Sequence, residues 1–356
     1  MPFKMNNAHN IYIHVPFCMS KCNYCAFFSV ACTSPDWEKY TNGIIAEINR
    51  WAESLGRISV PTIFFGGGTP SLMPTKCFAK IIQELRSKFD VVPDAEITLE
   101  SNPGTLDEKR LDEFISGGVN RLSLGVQSFD DDELLFLGRR HNVAVARNLI
   151  NLAQNRGIRV SADFIYGIPT HNVQSVQKLC NQINEIGLSH CSMYELTIEE
   201  NTPFGKMNLD MPTNDEMADM YMAITDTLKL SRYEVSNYAT PGFECRHNQN
   251  VWDGDAYIGL GTGAAGRVFM NNVWYEQSGG VNGIFEPMNS NSRAVERVIT
   301  GMRTMRGVLL AKDIQNVVNM EYVNKHPELV MVKNGRMCAT ERGLITLDDM
   351  LLNLIK

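Results

Sequence analysis

Ile11-Tyr12-Ile13-His14-Val15-Pro16-Phe17-Cys18-Met19-Ser20-Lys21-Cys22-Asn23-Tyr24-Cys25 opens with a strand-like run, Ile11 to Val15, and leads directly into three cysteines. The strand signal recurs near Thr62–Phe65, Ile97–Glu100, Arg121–Gly125, Val160–Ile165 and Cys191–Leu196. Helical patterns lie between: Cys77–Phe89, Leu111–Ser116, Val143–Asn155 and Val173–Ile186. Ser34-Pro35 reads as an N-cap followed by proline at the first helical position. The helix it starts carries Trp37, Tyr40, Ile44, Ile48, Trp51 and Leu55 on one apolar face. Six strands, each followed by helix-compatible sequence, predict an α/β fold with a parallel sheet and helices outside. A doubly wound sheet and an incomplete barrel both fit. In either, ligands collect at the C-terminal ends of the strands.

After about residue 200 the pattern changes. A helix is predicted over Asn214–Leu230 and a strand over Tyr233–Ser236. A glycine-rich stretch runs from Gly254 to Gly266, and a polar Asn/Gly-rich loop from Gly279 to Asn291. The remainder reads as a small, mostly helical module with a hairpin around Asn334-Gly335. The domain expectation is a core over 1–200, an extension over 201–290 holding the His247 loop, and a C-terminal module over 291–356.

The chain has 356 residues, 44% hydrophobic and 21% charged, with net charge -7. This is the balance of a globular protein large enough for a substantial core. An acidic chain is a poor candidate for nucleic-acid binding. No stretch reaches the ~20 apolar residues of a membrane helix. Met1 to Asn10 lacks the apolar centre of a signal peptide, so the expected location is the cytoplasm, with peripheral membrane contact left open. The nine cysteines are odd in number. Reduced thiols, which are soft metal ligands, fit that context better than disulfides.

Cys18, Cys22 and Cys25 can converge on one metal centre. Structural zinc normally takes four ligands, usually as two separated pairs, and no second pair exists here. An iron–sulfur cube normally takes four cysteines. Three leave one iron open to a small molecule, which favours the cluster, with zinc as the alternative.

The spacing C-x3-C-x2-C, with an aromatic residue before the third cysteine (Tyr24), resembles the radical S-adenosylmethionine (SAM) superfamily. The resemblance implies a 4Fe-4S cluster on Cys18, Cys22 and Cys25. It also implies SAM chelated to the open iron, and a partial (β/α)6 TIM-like barrel. In that superfamily one electron from the cluster cleaves the SAM sulfonium. The loop Gly66-Gly67-Gly68-Thr69-Pro70-Ser71 then holds the methionine end of SAM, with Gly67, Gly68 and Thr69 as its contacts. Tyr12, Tyr24, Glu100, Gln127, Arg139 and Asp163, most of them at successive strand ends, complete the expected SAM rim. Arg140 and His141 read as an exposed charge cluster. Gly261-Thr262-Gly263-Ala264-Ala265-Gly266 fits a dinucleotide pattern, but the extended look of Arg267–Tyr275 argues against that use.

Ile11–Cys25, the Gly66–Ser71 loop, Gly117–Phe129, Tyr194–Thr197 and Tyr233–Asn237 resemble one branch. It contains the oxygen-independent coproporphyrinogen III oxidases and the haem chaperones called HemW. Two features favour the chaperones: Phe27 stands where the oxidases carry a fourth cysteine, and only 17 residues precede Cys18. The chaperone resemblance implies haem binding, delivery to respiratory haem proteins and a homodimer, and makes coproporphyrinogen oxidation the alternative reading. His247-Asn248-Gln249-Asn250-Val251 resembles the branch's H-N-x-x-Y motif, with Val251 at the tyrosine position and Ala265 where a later histidine is usual. His247 is the haem-ligand candidate.

Overall fold

The computed structural model describes residues 8–279 and 284–356. Met1–Asn7 of the polar N-terminal segment and residues 280–283 of the Asn/Gly-rich loop lie outside the described residues. β1 (His9–Val15), β2 (Ser59–Gly67), β3 (Asp90–Ser101), β4 (Arg121–Gln127), β5 (Arg159–Tyr166) and β6 (His190–Glu195) follow in chain order. Each pairs in parallel with the next. Between them run α1 (Trp37–Leu55), α2 (Thr75–Lys88), α3 (Glu108–Ser116), α4 (Asp131–Phe136), α5 (Val143–Asn155) and α6 (Val173–Ile186). The architecture is α/β, a mixed sheet in which these six strands run parallel with helices between them.

Each strand sorts its side chains by period two. Ile11, Ile13 and Val15 of β1 are fully buried in the main apolar cluster with Ile63 and Phe65 of β2, Leu122 and Leu124 of β4, and helix residues such as Ile48 and Leu85. Each such side chain contributes about 1.5–3 kcal/mol by leaving water. The opposite face carries Tyr12, Phe64, Glu100, Arg121, Ser123, Asp163, Ser192 and Tyr194, which line a common cavity. That face is the barrel lumen, and it is largely polar.

Several local expectations differ from the structure. α1 starts at Trp37, and its cap is Asp36, whose carboxylate accepts from Lys39 N, because a carboxylate two residues past Ser34 meets the free N–H groups better. Tyr233–Ser236 is not a strand. It links β7 (Ser231–Arg232) to β8 (Asn237–Ala239), and Glu234 Oε1 accepts from Ser236 N and Asn237 Nδ2, bending the backbone. His141 is buried rather than exposed, its Nε2 against Val126 O at 3.1 Å. α7 spans Asn214–Thr227.

The glycine-rich stretch hides β9 (Ala256–Leu260), which pairs in parallel with β1. β10 (Gly266–Met270), β11 (Val273–Gln277) and β12 (Phe285–Pro287) extend that edge antiparallel, so the loop expected over Gly279–Asn291 includes a strand. α8 (Arg246–Trp252) closes the N-terminal end of the lumen, where its Trp252 and Val251 meet Tyr257 of β9. A second apolar cluster runs from Ala294 to Leu354. It covers a three-stranded sheet whose hairpin turns at Asn334 (φ 53°) and Gly335 (φ 73°).

Candidate functional site

The cysteine loop leaves the C-terminal end of β1 and is held at both ends. Phe17–Cys18 pairs with Val30–Ala31, and Cys32 N donates to Cys18 O at 2.8 Å. In the middle, Asn23 N donates to Leu137 O at 3.1 Å and Asn23 Nδ2 to Phe136 O at 2.7 Å, tying the loop to the α4 end. Cys18, Cys22 and Cys25 are half-buried free thiols. Burial pushes the Cys25 thiol up, and charges at Cys22 and Cys18 add to this.

Two groups donate to these sulfurs. Thr69 Oγ1 stands 3.6 Å from Cys18 Sγ, and Arg139 Nη1 donates to Cys22 Sγ at 3.2 Å. Arg139 Nη2 also reaches Asn102 Oδ1 and Gly125 O, while Asn102 Nδ2 donates to Thr69 Oγ1 at 2.8 Å. Arg139 Nε is buried and has no partner among the described residues. At Gly68, a Cβ would sit 2.7 Å from Phe17 O and 3.0 Å from Cys18 Sγ, so only glycine lets this loop lie against the thiol. Gln127 adopts φ 72°, which aims its amide back toward Gly125.

Among the described residues no three ligating side chains converge tightly enough for a single ion. Three half-buried free thiols, two of them facing the donors Thr69 Oγ1 and Arg139 Nη1, are residues that suit an iron–sulfur cluster.

Tyr12, Glu100, Asp163 and His247 stand apart from this group, in a lumen cavity of about 280 Å3. Gly67 joins the two groups: its N–H donates to Glu100 Oε2 at 2.9 Å, from a φ of 114°. Burial and the nearby Asp163 charge push the Glu100 carboxyl up to about 8. Asp163 accepts from Ser192 Oγ at 2.6 Å and Ser123 Oγ at 3.2 Å, and burial pushes its carboxyl up. Tyr12 OH meets His14 Nδ1 at 3.0 Å, and His14 Nε2 meets Phe28 O at 2.8 Å.

His247 is not on a loop. It lies on α8, is 5% exposed and faces the lumen at the end away from the cysteines. Its tautomer follows from its neighbours. Asn10 Nδ2 donates to Ala256 O at 3.1 Å, so Asn10 Oδ1 is the acceptor for the Thr62 hydroxyl at 2.8 Å. Thr62 has one proton and has used it, so it accepts from His247 Nδ1–H at 2.8 Å. Nε2 is left with a free lone pair, the form that ligates metal. Burial and the Arg121 charge hold the imidazole down at about 3, hence neutral. The chemistry suits an axial ligand, and the cavity that Nε2 faces, about 280 Å3, is just below the ~300–1,000 Å3 of drug-sized ligand pockets.

Sequence reading assigned no role to Asn102, His14, Glu96 or Arg121. Arg121 had a visible signal, a lone charge opening the apolar run Arg121-Leu122-Ser123-Leu124.

A family model for the radical SAM superfamily matches residues 12–183. The chain is 36% identical over 268 residues to Heme chaperone HemW of Haemophilus influenzae, covering 73% of this chain and 70% of that protein. It is 30% identical over 365 residues to Heme chaperone HemW of Lactococcus lactis, covering 97% and 94%. Among solved structures, coproporphyrinogen III oxidase (HemN) from Escherichia coli superposes with a TM-score of 0.80 at 19% identity, covering 98% of this chain and 90% of that one, a likeness of fold.

Proposed function

The chain belongs to the HemW heme chaperone family of the radical SAM superfamily, and from that premise we propose that it binds a 4Fe-4S cluster, SAM and haem, and hands haem to respiratory haem proteins. Cys18, Cys22 and Cys25 are the proposed cluster ligands. The observation that carries this is the set of donors on their sulfurs, Thr69 Oγ1 and Arg139 Nη1. Cations and hydrogen-bond donors beside a thiol favour the thiolate that ligates iron. Bound there, the cluster supplies an electron for SAM chemistry.

Gly67, Gly68 and Thr69 present backbone and hydroxyl groups on one side of the proposed SAM position. Arg139, Gln127 and Tyr24 stand on the cysteine side, and Tyr12, Glu100 and Asp163 on the lumen side. Glu100 is suited to an ammonium group, because a cation arriving beside it returns the raised carboxyl to its charged form.

For haem, the supporting feature is the ligand-ready His247 Nε2, which faces the lumen cavity. His247 is the proposed iron ligand. Delivery takes place in the cytoplasm from a homodimer on this reading. Among the described residues, no helix is long and apolar enough to cross a membrane.

The test is a haem titration of anaerobically reconstituted protein, with and without SAM. A saturable Soret change that His247→Ala abolishes supports the reading. A Soret change identical in His247→Ala removes the iron ligand. Robust conversion of coproporphyrinogen III propionates to vinyl groups would move the protein to the oxidase reading.

A further inference from the structure

We infer that the lumen cavity contains a carboxylate subsite anchored by Arg121, which receives a carboxylate arm of the ligand. The inference rests on the haem reading above, because haem carries propionate arms.

Arg121 is the first residue of β4, 3% exposed, and its side chain lines the cavity. Among the described residues its guanidinium makes no hydrogen bond and no ion pair within 4.0 Å. The carboxylates that act on it through space, Glu96 and Asp163, are engaged elsewhere. Glu96 accepts from Arg246 N at 3.2 Å and His247 N at 3.0 Å, and lies 3.7 Å from Arg159 Nη1. Asp163 is taken by Ser123 and Ser192.

The Arg121 guanidinium opens its side-chain nitrogens onto the cavity, where an incoming ligand can reach them. Its planar fork matches a carboxylate bidentately, which sets it apart from a point charge. Arg121 is also the one cation among the residues lining the cavity, while Ser123, Ser192, Asn237 and Asn248 add neutral hydrogen-bonding groups. Burial pushes the Glu100 and Asp163 carboxyls up, which reduces the negative charge opposing an incoming anion. A volume of about 280 Å3 accommodates a carboxylate arm beside Arg121.

Two comparisons test this. First, haem and its dimethyl ester are titrated against the wild-type protein, Arg121→Gln and Arg121→Lys. Wild type is expected to bind the free acid ~10- to 100-fold more tightly than the ester, the range of a charge-assisted hydrogen bond. Arg121→Gln is expected to erase that difference, and Arg121→Lys to keep part of it. Equal wild-type affinity for acid and ester overturns the subsite while leaving the haem reading standing, and needs no variant to fold.

Second, thermal unfolding is followed with sodium propionate against sodium chloride at matched ionic strength. Propionate is expected to stabilise wild type and not Arg121→Gln. If haem fails to bind but this propionate effect is present, the haem reading fails and the subsite survives. Equal stabilisation by chloride and propionate overturns the carboxylate assignment.

Discussion

Arg139 Nη1 donates to Cys22 Sγ across 3.2 Å, although 117 residues separate them in the chain. The same guanidinium reaches Asn102 after β3 and Gly125 in β4, so one side chain ties two strand ends to the cysteine loop. A hydrogen bond to a ligating sulfur raises a cluster's reduction potential, and loss of a donor and a cation lowers it.

Arg139→Gln is therefore expected to retain most of its iron after reconstitution but to show a more negative midpoint in an anaerobic titration followed by electron paramagnetic resonance. SAM affinity should fall ~10-fold or more, since a buried charged donor is lost. An unchanged midpoint contradicts the contact.

Gly67→Ala should destabilise the fold by about 1–3 kcal/mol. Its Cβ would meet the His14 ring at 2.6 Å, and its φ of 114° is one that L side chains rarely adopt. Urea unfolding checks this. A loss below a few tenths of a kcal/mol would mean the loop is free to rearrange.

Glu100→Gln separates binding from folding. The folded carboxyl sits at about 8, above its unfolded value near 4.5, so between those pH values the native state holds a proton that the unfolded chain has lost. Wild-type stability therefore falls as pH rises from about 4.5 to 8 on account of this group, and glutamine removes that contribution. The variant should unfold no more easily than wild type at pH 7.5, yet bind SAM ~10-fold or more weakly by calorimetry. Unchanged SAM affinity takes Glu100 out of the proposed rim.

The buried histidines set an opposite slope at lower pH. Burial and Arg121 hold His247 down at about 3, burial and Arg139 hold His141 at about 4, and His190 lies well below its usual 6.5. Their unfolded forms take up protons below about 6.5 while the folded forms stay neutral, so stability falls as pH drops through that window. Each contributes up to about 1.4 kcal/mol per pH unit. Urea midpoints at pH 7.0 and 5.0 should show the drop, and His247→Asn should reduce it. An equal drop in the variant removes His247 from this account.

The β/α repeat was legible because each of the six strands carries an apolar face toward the helices, and α5 and α6 show helical spacing over the ranges predicted, Val143–Asn155 and Val173–Ile186. β9 was not, because its one glycine, Gly259, serves the close approach of Ala265 and its partner β1 lies 247 residues earlier (His9 opposite Ala256). The cysteine triplet stood out as a local motif. The position of His247 did not, because it depends on Asn10, Thr62 and Glu96, which only the folded sheet brings beside it. Arg121 was visible as a charge in an apolar run, but nothing in the run shows that its guanidinium is left without a hydrogen-bond partner.

Iron and acid-labile sulfide content after anaerobic reconstitution tests the cluster most directly. Wild type and Cys32→Ala should each hold ~4 iron and ~4 sulfide per chain, and Cys18→Ala, Cys22→Ala and Cys25→Ala should each hold markedly less. A colourless wild type without sulfide, or the same iron loss in Cys32→Ala as in the other three, contradicts the account.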